Sequence, residues 1–421
     1  MSPAFCARAC GIDFGTSNST VGHCRSGQAT LIPLEDGKVT LPSVVFFNAE
    51  DECTRFGRAG LAEYLAGYEG RLMRSLKSLL GSSLIDGKTE VHGRSLRFRD
   101  LLAQFIGDLK RRADEHAGRA FGQVVIGRPV YFVDDDAVAD RTAETTLAEI
   151  ARAVGFNDVS FQFEPIAAAF HYETTIDREE LVLVADIGGG TSDFSLVRLA
   201  PQRAKMSERQ NDVLASGGVH IGGTDFDRQL SLAGVMPYLG YRSLSTGGRE
   251  MPSSIFFNLA TWHSINLAYT RQVLSEQKLL ALDSSEPRKA ARLLALIEQR
   301  AGHWLASEVE QAKIALSDQP STQLALDRLA DELRVPLTRE QFDEASAALV
   351  AKVEATVAAL LRDAGLAAAK IDTVFFTGGS SGIPRLRQRI AALLPQARAV
   401  EGDLFGSIGA GLAVEAARRY G

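Results

Sequence analysis

The stretch Asp13-Phe14-Gly15-Thr16-Ser17-Asn18 and the stretch Asp186-Ile187-Gly188-Gly189-Gly190-Thr191-Ser192-Asp193 follow one plan. Each comes after an apolar run, Cys10-Gly11-Ile12 or Leu181-Val182-Leu183-Val184-Ala185. Each continues into an alternating run, Ser19-Thr20-Val21-Gly22 or Phe194-Ser195-Leu196-Val197. Strand, carboxylate, Gly/hydroxyl turn and second strand make a hairpin with a polar tip. Glycines let the backbone come close to a ligand and adopt positive φ. Successive turn N–H groups form a concave anion site, and Thr and Ser hydroxyls add donors. An Asp beside such a site repels a phosphate unless a cation lies between, so Asp13 and Asp186 predict a hydrated Mg²⁺ whose waters they orient. One copy reads as an ordinary Gly-rich hairpin. Two copies in matching order, face to face, would clamp a di- or triphosphate.

A chain of 421 residues buries a large core and is expected to hold two or more domains. Hydrophobic residues make up 45% and charged residues 23%, the balance of an ordinary globular protein. The formal net charge of -6 argues against nucleic acid or an anionic membrane as the main partner, since those need a dominant basic field. Cys6, Cys10, Cys24 and Cys53 all lie near the start, and no His or second Cys pair follows Cys6-x-x-x-Cys10 at metal-ligand spacing. They read as free thiols in a reducing compartment. Met1-Ser2-Pro3-Ala4-Phe5 carries no signal-peptide pattern, and no run is long and apolar enough for a membrane span. A cytoplasmic, monomeric protein is expected.

Along the chain, Thr30–Leu34 and Leu41–Phe47 read as strands, a helix runs from Gly57 to about Gly67, and residues 99–118 have helical apolar spacing. Lys77, in Leu76-Lys77-Ser78-Leu79-Leu80-Gly81, reads on its own as a solvated surface lysine. Val124–Val130 is a buried strand leading to Pro129, and Asp134-Asp135-Asp136 opens the next helix, where capping accounts for the acids. Phe161–Pro165 is a short strand running into a helix at Ile166–Tyr172, which puts Glu164 at a strand end aimed at whatever the tips hold. His220-Ile221-Gly222-Gly223-Thr224-Asp225 is a further Gly turn entering a helix, whose N-terminus can face a phosphate; capping explains Thr224 and Asp225 equally. Residues 236–285 are Gly/Ser-rich, then helical, and the least readable part. From Arg288 to Leu316 the spacing is helical, with Trp304 expected in the core and Glu310 and Lys313 as a surface i,i+3 pair. A hairpin over 322–337, a capping box at Thr338–Gln341 and a helix to Ala364 follow. Strand Asp372–Thr377 runs into Gly378-Gly379-Ser380-Ser381-Gly382, a third candidate cradle, and the glycines of Ile408–Ala413 allow a close helix crossing.

No Walker A sequence, zinc-protease helix or nucleophile elbow occurs, and the seven histidines are scattered. The order of Asp13–Asn18, Glu164-Pro165, Asp186–Asp193, Gly222–Asp227, Gly378–Pro384 and Gly406–Gly411 resembles the nucleotide-binding domain of the 70-kilodalton heat-shock chaperones, in the actin/hexokinase superfamily. The likeness covers essentially the whole chain and is similar to the short bacterial DnaK-like form called YegD-like. It implies an α/β, two-lobed actin-like ATPase fold of duplicated ribonuclease-H-like domains with a nucleotide cleft between them. The implied lobes are 1–180 (core 1–35 and 119–180, completed by 395–421, with subdomain 36–118) and 181–394 (core 181–228 and 337–394, with subdomain 229–336).

The implied ligands are ATP or ADP with Mg²⁺. By position, the likeness makes Asp13, Asp186 and Asp193 the carboxylates that orient the metal's waters. Gly15, Thr16, Ser17, Asn18, Gly188, Gly189, Gly190 and Thr191 would hold phosphates, joined by Gly222, Gly223 and Thr224. Lys77 matches the catalytic lysine, Glu164 the carboxylate near the metal and Pro129 the proline linked to lobe signalling. Glu310, Lys313 and Ser317 match the adenosine side, and Gly378, Gly379 and Ser380 the opposite wall. Such an inventory is adequate for phosphoryl transfer to water, which rests on positioning and charge. Where the family brackets adenine with two arginines, this chain has Ile314 and Gly382. The expectation is a form without the family's peptide-binding domain, a slow ATPase acting as a nucleotide-gated switch for an unidentified protein partner or co-chaperone. The alternatives are a non-hydrolysing nucleotide-binding scaffold and a small-molecule kinase of the same superfamily.

Overall fold

A computed structural model of the 421-residue chain describes residues 9–25, 28–133, 136–206, 209–404 and 406–421. Cys6, the N-terminal stretch Met1–Phe5 and the pair Asp134-Asp135 lie outside the described residues. The chain divides into two compact units, one of residues 1–218, 356–381 and 390–421, the other of 219–355 and 382–389.

The first unit is built on two sheets with one topology. In the first, Asp158–Phe163, Gln123–Arg128 and Ala9–Phe14 lie parallel, and Asn18–Arg25 and Gln28–Leu31 return antiparallel. In the second, Arg398–Glu401, Thr373–Thr377 and Glu180–Ile187 lie parallel, Ser192–Leu199 returns antiparallel, and Val213–Val219 flanks it. The repeated strand order makes the likeness of the two tips a property of whole sheets. The central strands are apolar on both faces, as parallel strands covered on two sides must be: Ala9, Cys10, Ile12 and Phe14 in one, Val182, Leu183, Val184 and Ala185 in the other, are all buried.

The helices that follow the two edge strands are exchanged. Glu164–Glu173 leaves the first sheet, yet its Ile166, Ala168, Ala169 and Tyr172 pack with Val182, Val184, Val197 and Leu199 of the second. Ser407–Tyr420 leaves the second sheet and packs on the first, with Leu412 and Ala416 against Ala9 and Val125. The two helices cross where Gly411 meets Ala167: a Cβ on Gly411 would stand 1.9 Å from the Ala167 carbonyl oxygen. A Cβ on Gly409 would stand 2.2 Å from Thr20 Oγ1, so the close crossing expected of these glycines is present. Gly411→Ala is expected to cost about 1–3 kcal/mol, the usual penalty of overpacking, read as a lower unfolding midpoint in denaturant. An unchanged midpoint would contradict this packing.

The first unit also carries a three-stranded sheet of Cys53–Phe56, Val44–Asn48 and Gly70–Arg74, and the long helix Phe98–Ala117. The expected strand at Thr30–Leu34 is instead Gln28–Leu31, ending before Pro33, which has no N–H to give a ladder. Asp136 caps Ala137–Ala153, its Oδ1 accepting from Val138 N at 3.0 Å and Ala139 N at 2.9 Å. Cys10, Cys24 and Cys53 are free thiols.

In the second unit, the helical run expected from Arg288 to Leu316 is two helices, Pro287–Glu298 and Gly302–Asp318. They are parted where Arg300 turns left-handed with φ 48°. Trp304 is half-buried under the Arg328 guanidinium rather than in the core. Residues 236–285 resolve into Ser254–Leu259, a 3₁₀ run over Trp262–Tyr269 and the helix Arg271–Leu282. Ser321–Ala325 and Arg334–Thr338 form the expected hairpin, and Thr338 Oγ1 accepts from Gln341 N at 3.2 Å to start the next helix. Among the described residues no helix is long and apolar enough to cross a membrane.

Candidate functional site

Both tips belong to the first unit, and they meet. Asp13 is paired with Thr20, and Asp186 with Asp193, directly across their hairpins. A Cβ on Gly189 would stand 2.0 Å from Ser17 Oγ, and one on Gly190 would lie 3.8 Å from the Thr16 methyl carbon. The glycines serve this close approach. None of Gly15, Gly188, Gly189 and Gly190 has positive φ, which corrects the expectation of left-handed turns. Gly15 is required by its own turn, since a Cβ there would stand 2.2 Å from Asn18 O, and the second turn closes with Gly188 N donating to Thr191 O at 2.9 Å. The third cradle joins the second tip: Gly378 follows Thr377, which pairs with Asp186, and has φ 80°. A side chain on Gly378 would lie 2.5 Å from Asp186 Oδ1. Gly379 and Ser380 start a short 3₁₀ turn.

Lys77 is no surface lysine. Buried Leu76 anchors the 3₁₀ turn Leu76–Leu79, entered through Ser75 at φ 55°. The Lys77 side chain, only 12% exposed, places Nζ 2.5 Å from Glu164 Oε1. Glu164 is the first residue of its helix, which begins two residues earlier than expected; the helix N-terminus favours its charge. Gly127 leaves room for it, since a Cβ there would stand 3.2 Å from Glu164 Cγ.

The charges converge. Burial first, then Glu164, push the Asp13 carboxyl up to about 7, against the pull of Lys77. Asp186 is raised well above the usual carboxylate range by burial first, then by Asp193, Glu164 and Asp13. Burial works against the Lys77 charge, but Glu164, Asp13 and Asp186 outweigh it and raise its pKa. Thr191 Oγ1 donates to Asp193 Oδ2 at 2.7 Å. Carboxylates held together at this cost fit a divalent cation. Among the described residues no three such side chains converge closely enough to ligate an ion directly. That donor set suits Mg²⁺, which keeps its waters and takes few protein ligands.

The other candidates lie in the second unit. Gly222 precedes the helix Gly223–Leu230 and its N–H donates to Asp225 Oδ2 at 3.0 Å, so Asp225 caps this helix. Thr224 is in its first turn. Lys313 does not pair with Glu310. It is buried, with Nζ 2.8 Å from Asp227 Oδ1 and donating to Gly223 O at 3.2 Å, because Asp227 shares the helix packed beside it. Ser317 Oγ donates back to Lys313 O at 3.4 Å, Glu310 is half-buried, and Ile314 is 49% exposed.

A family model described as Hsp70 protein matches residues 9–233 and 285–417. The chaperone protein HscA of Citrobacter koseri is 29% identical over 427 residues, covering 96% of this chain and 57% of that relative. The chain therefore spans little more than half the length of the curated relative it matches. The internal stretch outside that match, 234–284, falls on residues 236–285, the least readable part of the sequence.

Proposed function

This chain belongs to the Hsp70 family, with its actin-like ATPase fold, and we propose that it binds ATP and ADP with Mg²⁺ and hydrolyses ATP slowly as a chaperone-type nucleotide switch. The observation that carries the reading is the cluster of Asp13, Glu164 and Asp186 around Lys77 beneath two facing glycine tips. A bound Mg²⁺ would offset the negative charge of these carboxylates as well as that of the phosphates, and so make this cluster favourable.

In this reading the two tips grip the phosphates with Gly15, Thr16, Ser17, Asn18, Gly188, Gly189 and Gly190. Lys77 supplies positive charge beside the negative oxygens of the transferred group, and Glu164 holds Lys77 in place. Thr191 holds Asp193 by its hydroxyl, and Asp193 with Asp186 orients the attacking water. Asp13, Asp186 and Asp193 would hold the metal through its waters. We assign Gly222, Gly223, Thr224, Glu310, Lys313 and Ser317 to nucleotide contacts on the family likeness, with Gly378, Gly379 and Ser380 as a further wall. The repeated sheets support duplicated lobes at 1–180 with 395–421 and at 181–394. We place the protein in the cytoplasm, working with a protein partner or co-chaperone.

Phosphate release from Mg·ATP by the purified chain is the test. Wild type is expected to exceed Asp186→Asn and Thr191→Ala; equal rates would leave a non-hydrolysing binder. Calorimetric titration with ATP, ADP and GTP is expected to show tight binding only with Mg²⁺. Ile314 in place of an arginine is expected to narrow the preference for adenine over guanine.

A further inference from the structure

Ser43 has no expected role from sequence, where it is one hydroxyl inside the apolar run Leu41–Phe47. In the structure it is 1% exposed and its Oγ donates to the carbonyl oxygen of Gly15 at 2.6 Å. Its backbone N–H donates to Ser17 O at 2.8 Å. Because the single hydroxyl proton is spent on Gly15, the 3.0 Å contact with Ser19 Oγ has Ser19 as donor. On the other tip, Ser380 Oγ donates to the carbonyl oxygen of Gly188 at 2.9 Å. Gly15 stands two residues after Asp13, and Gly188 two residues after Asp186. The same carbonyl of the duplicated tip is thus held twice, by serines from segments outside the hairpins.

We propose that Ser43 and Ser380 are equivalent positioning residues that fix the peptide after each tip glycine for phosphate binding. The inference rests on the reading that the tips hold phosphate. A trans peptide is planar, so its C=O and N–H point to opposite sides. Holding Gly15 C=O directs Thr16 N–H away from Ser43, and holding Gly188 C=O directs Gly189 N–H away from Ser380. Glycine makes a flip of that peptide easy. A flipped peptide would turn a carbonyl, with its negative end, toward the anion instead of a donor. The tips need glycine for close approach, and the hydroxyls remove the freedom that glycine brings. Donors fixed in advance need no reorganisation when the ligand arrives.

The test uses Mg²⁺ with ADP, GDP and inorganic pyrophosphate, titrated against wild type, Ser43→Ala, Ser380→Ala and the double variant. Each single change is expected to weaken all three probes alike by about five- to tenfold, the worth of one lost hydrogen bond, and the double change by about the product. Ser19→Ala, which leaves both carbonyl contacts intact, is expected to change affinity by less than about twofold. In the ligand-free protein, amide exchange is expected to quicken at Thr16 in Ser43→Ala and at Gly189 in Ser380→Ala. Unchanged affinities and exchange in variants that melt like wild type overturn the proposal, as does an equal loss in Ser19→Ala. If wild type binds none of the three probes, the phosphate reading fails by itself. The exchange rates then still decide whether the serines hold the peptides.

Discussion

Lys77→Ala slows phosphate release from Mg·ATP by about a hundred- to a thousand-fold, the scale of losing one preorganised charge donor, while affinity for Mg·ADP changes by about threefold or less. The separation follows from where Lys77 sits. Its side chain is almost wholly enclosed, its ammonium rests on Glu164, and Asp13 and Asp186 lie in its field. Such a cation acts on charge that appears during transfer, and ADP lacks the group that is transferred. Removing it leaves neighbouring carboxylates without their cation, a costly state unless they take up protons. Lys77→Met, which keeps the packing of the stem, controls for that cost. A wild-type rate in both variants would show that the chemistry does not pass through Lys77. A parallel fall in ADP affinity would make it a structural counter-ion.

Asp13→Asn flattens the pH dependence of the ligand-free protein and stabilises it above neutrality. Burial and Glu164 push the folded carboxyl up to about 7, above the ordinary aspartate value of 3.8. Between those values the fold retains a proton that the unfolded chain releases, so stability falls as pH rises through that window and levels off above it. The full contribution is present below the unfolded value and is lost as pH rises through the folded one. Denaturant titrations of wild type at pH 5 and pH 8 are expected to show the lower stability at pH 8. Asp13→Asn is expected to show a much smaller difference, and added Mg·ADP to restore the wild type but not the variant. Equal stability of wild type at both pH values would mean that Asp13 is not under this strain.

The tips were legible because their signal is local. Carboxylate, glycine and hydroxyl within a few residues, flanked by apolar strands, predict both hairpins and their polar ends. The reason for the glycines was not legible. Left-handed φ and close approach leave the same residue in the sequence, and the backbone angles with the distance between Gly189 and Ser17 tell them apart. Read without the family likeness, Lys77 and Lys313 look like surface lysines in the sequence for a related cause. Their partners, Glu164 and Asp227, lie far along the chain, and a lone lysine carries no mark of burial. Ser43 is the extreme case, since one buried hydroxyl in a strand looks like any other. The break at Arg300 was hidden because apolar spacing continues through it while the backbone does not.

The exchanged helices bear on how the protein is made. Ala9 and Val125 belong to strands that leave the ribosome well before the side chains that cover them, Leu412 and Ala416. The first sheet must therefore wait, with one flank bare, until the helix Ser407–Tyr420 emerges. Contacts so distant in sequence are closed late and slowly. A nascent chain of this design spends its synthesis with a sticky surface uncovered, and so meets in its own birth the hazard against which chaperones act.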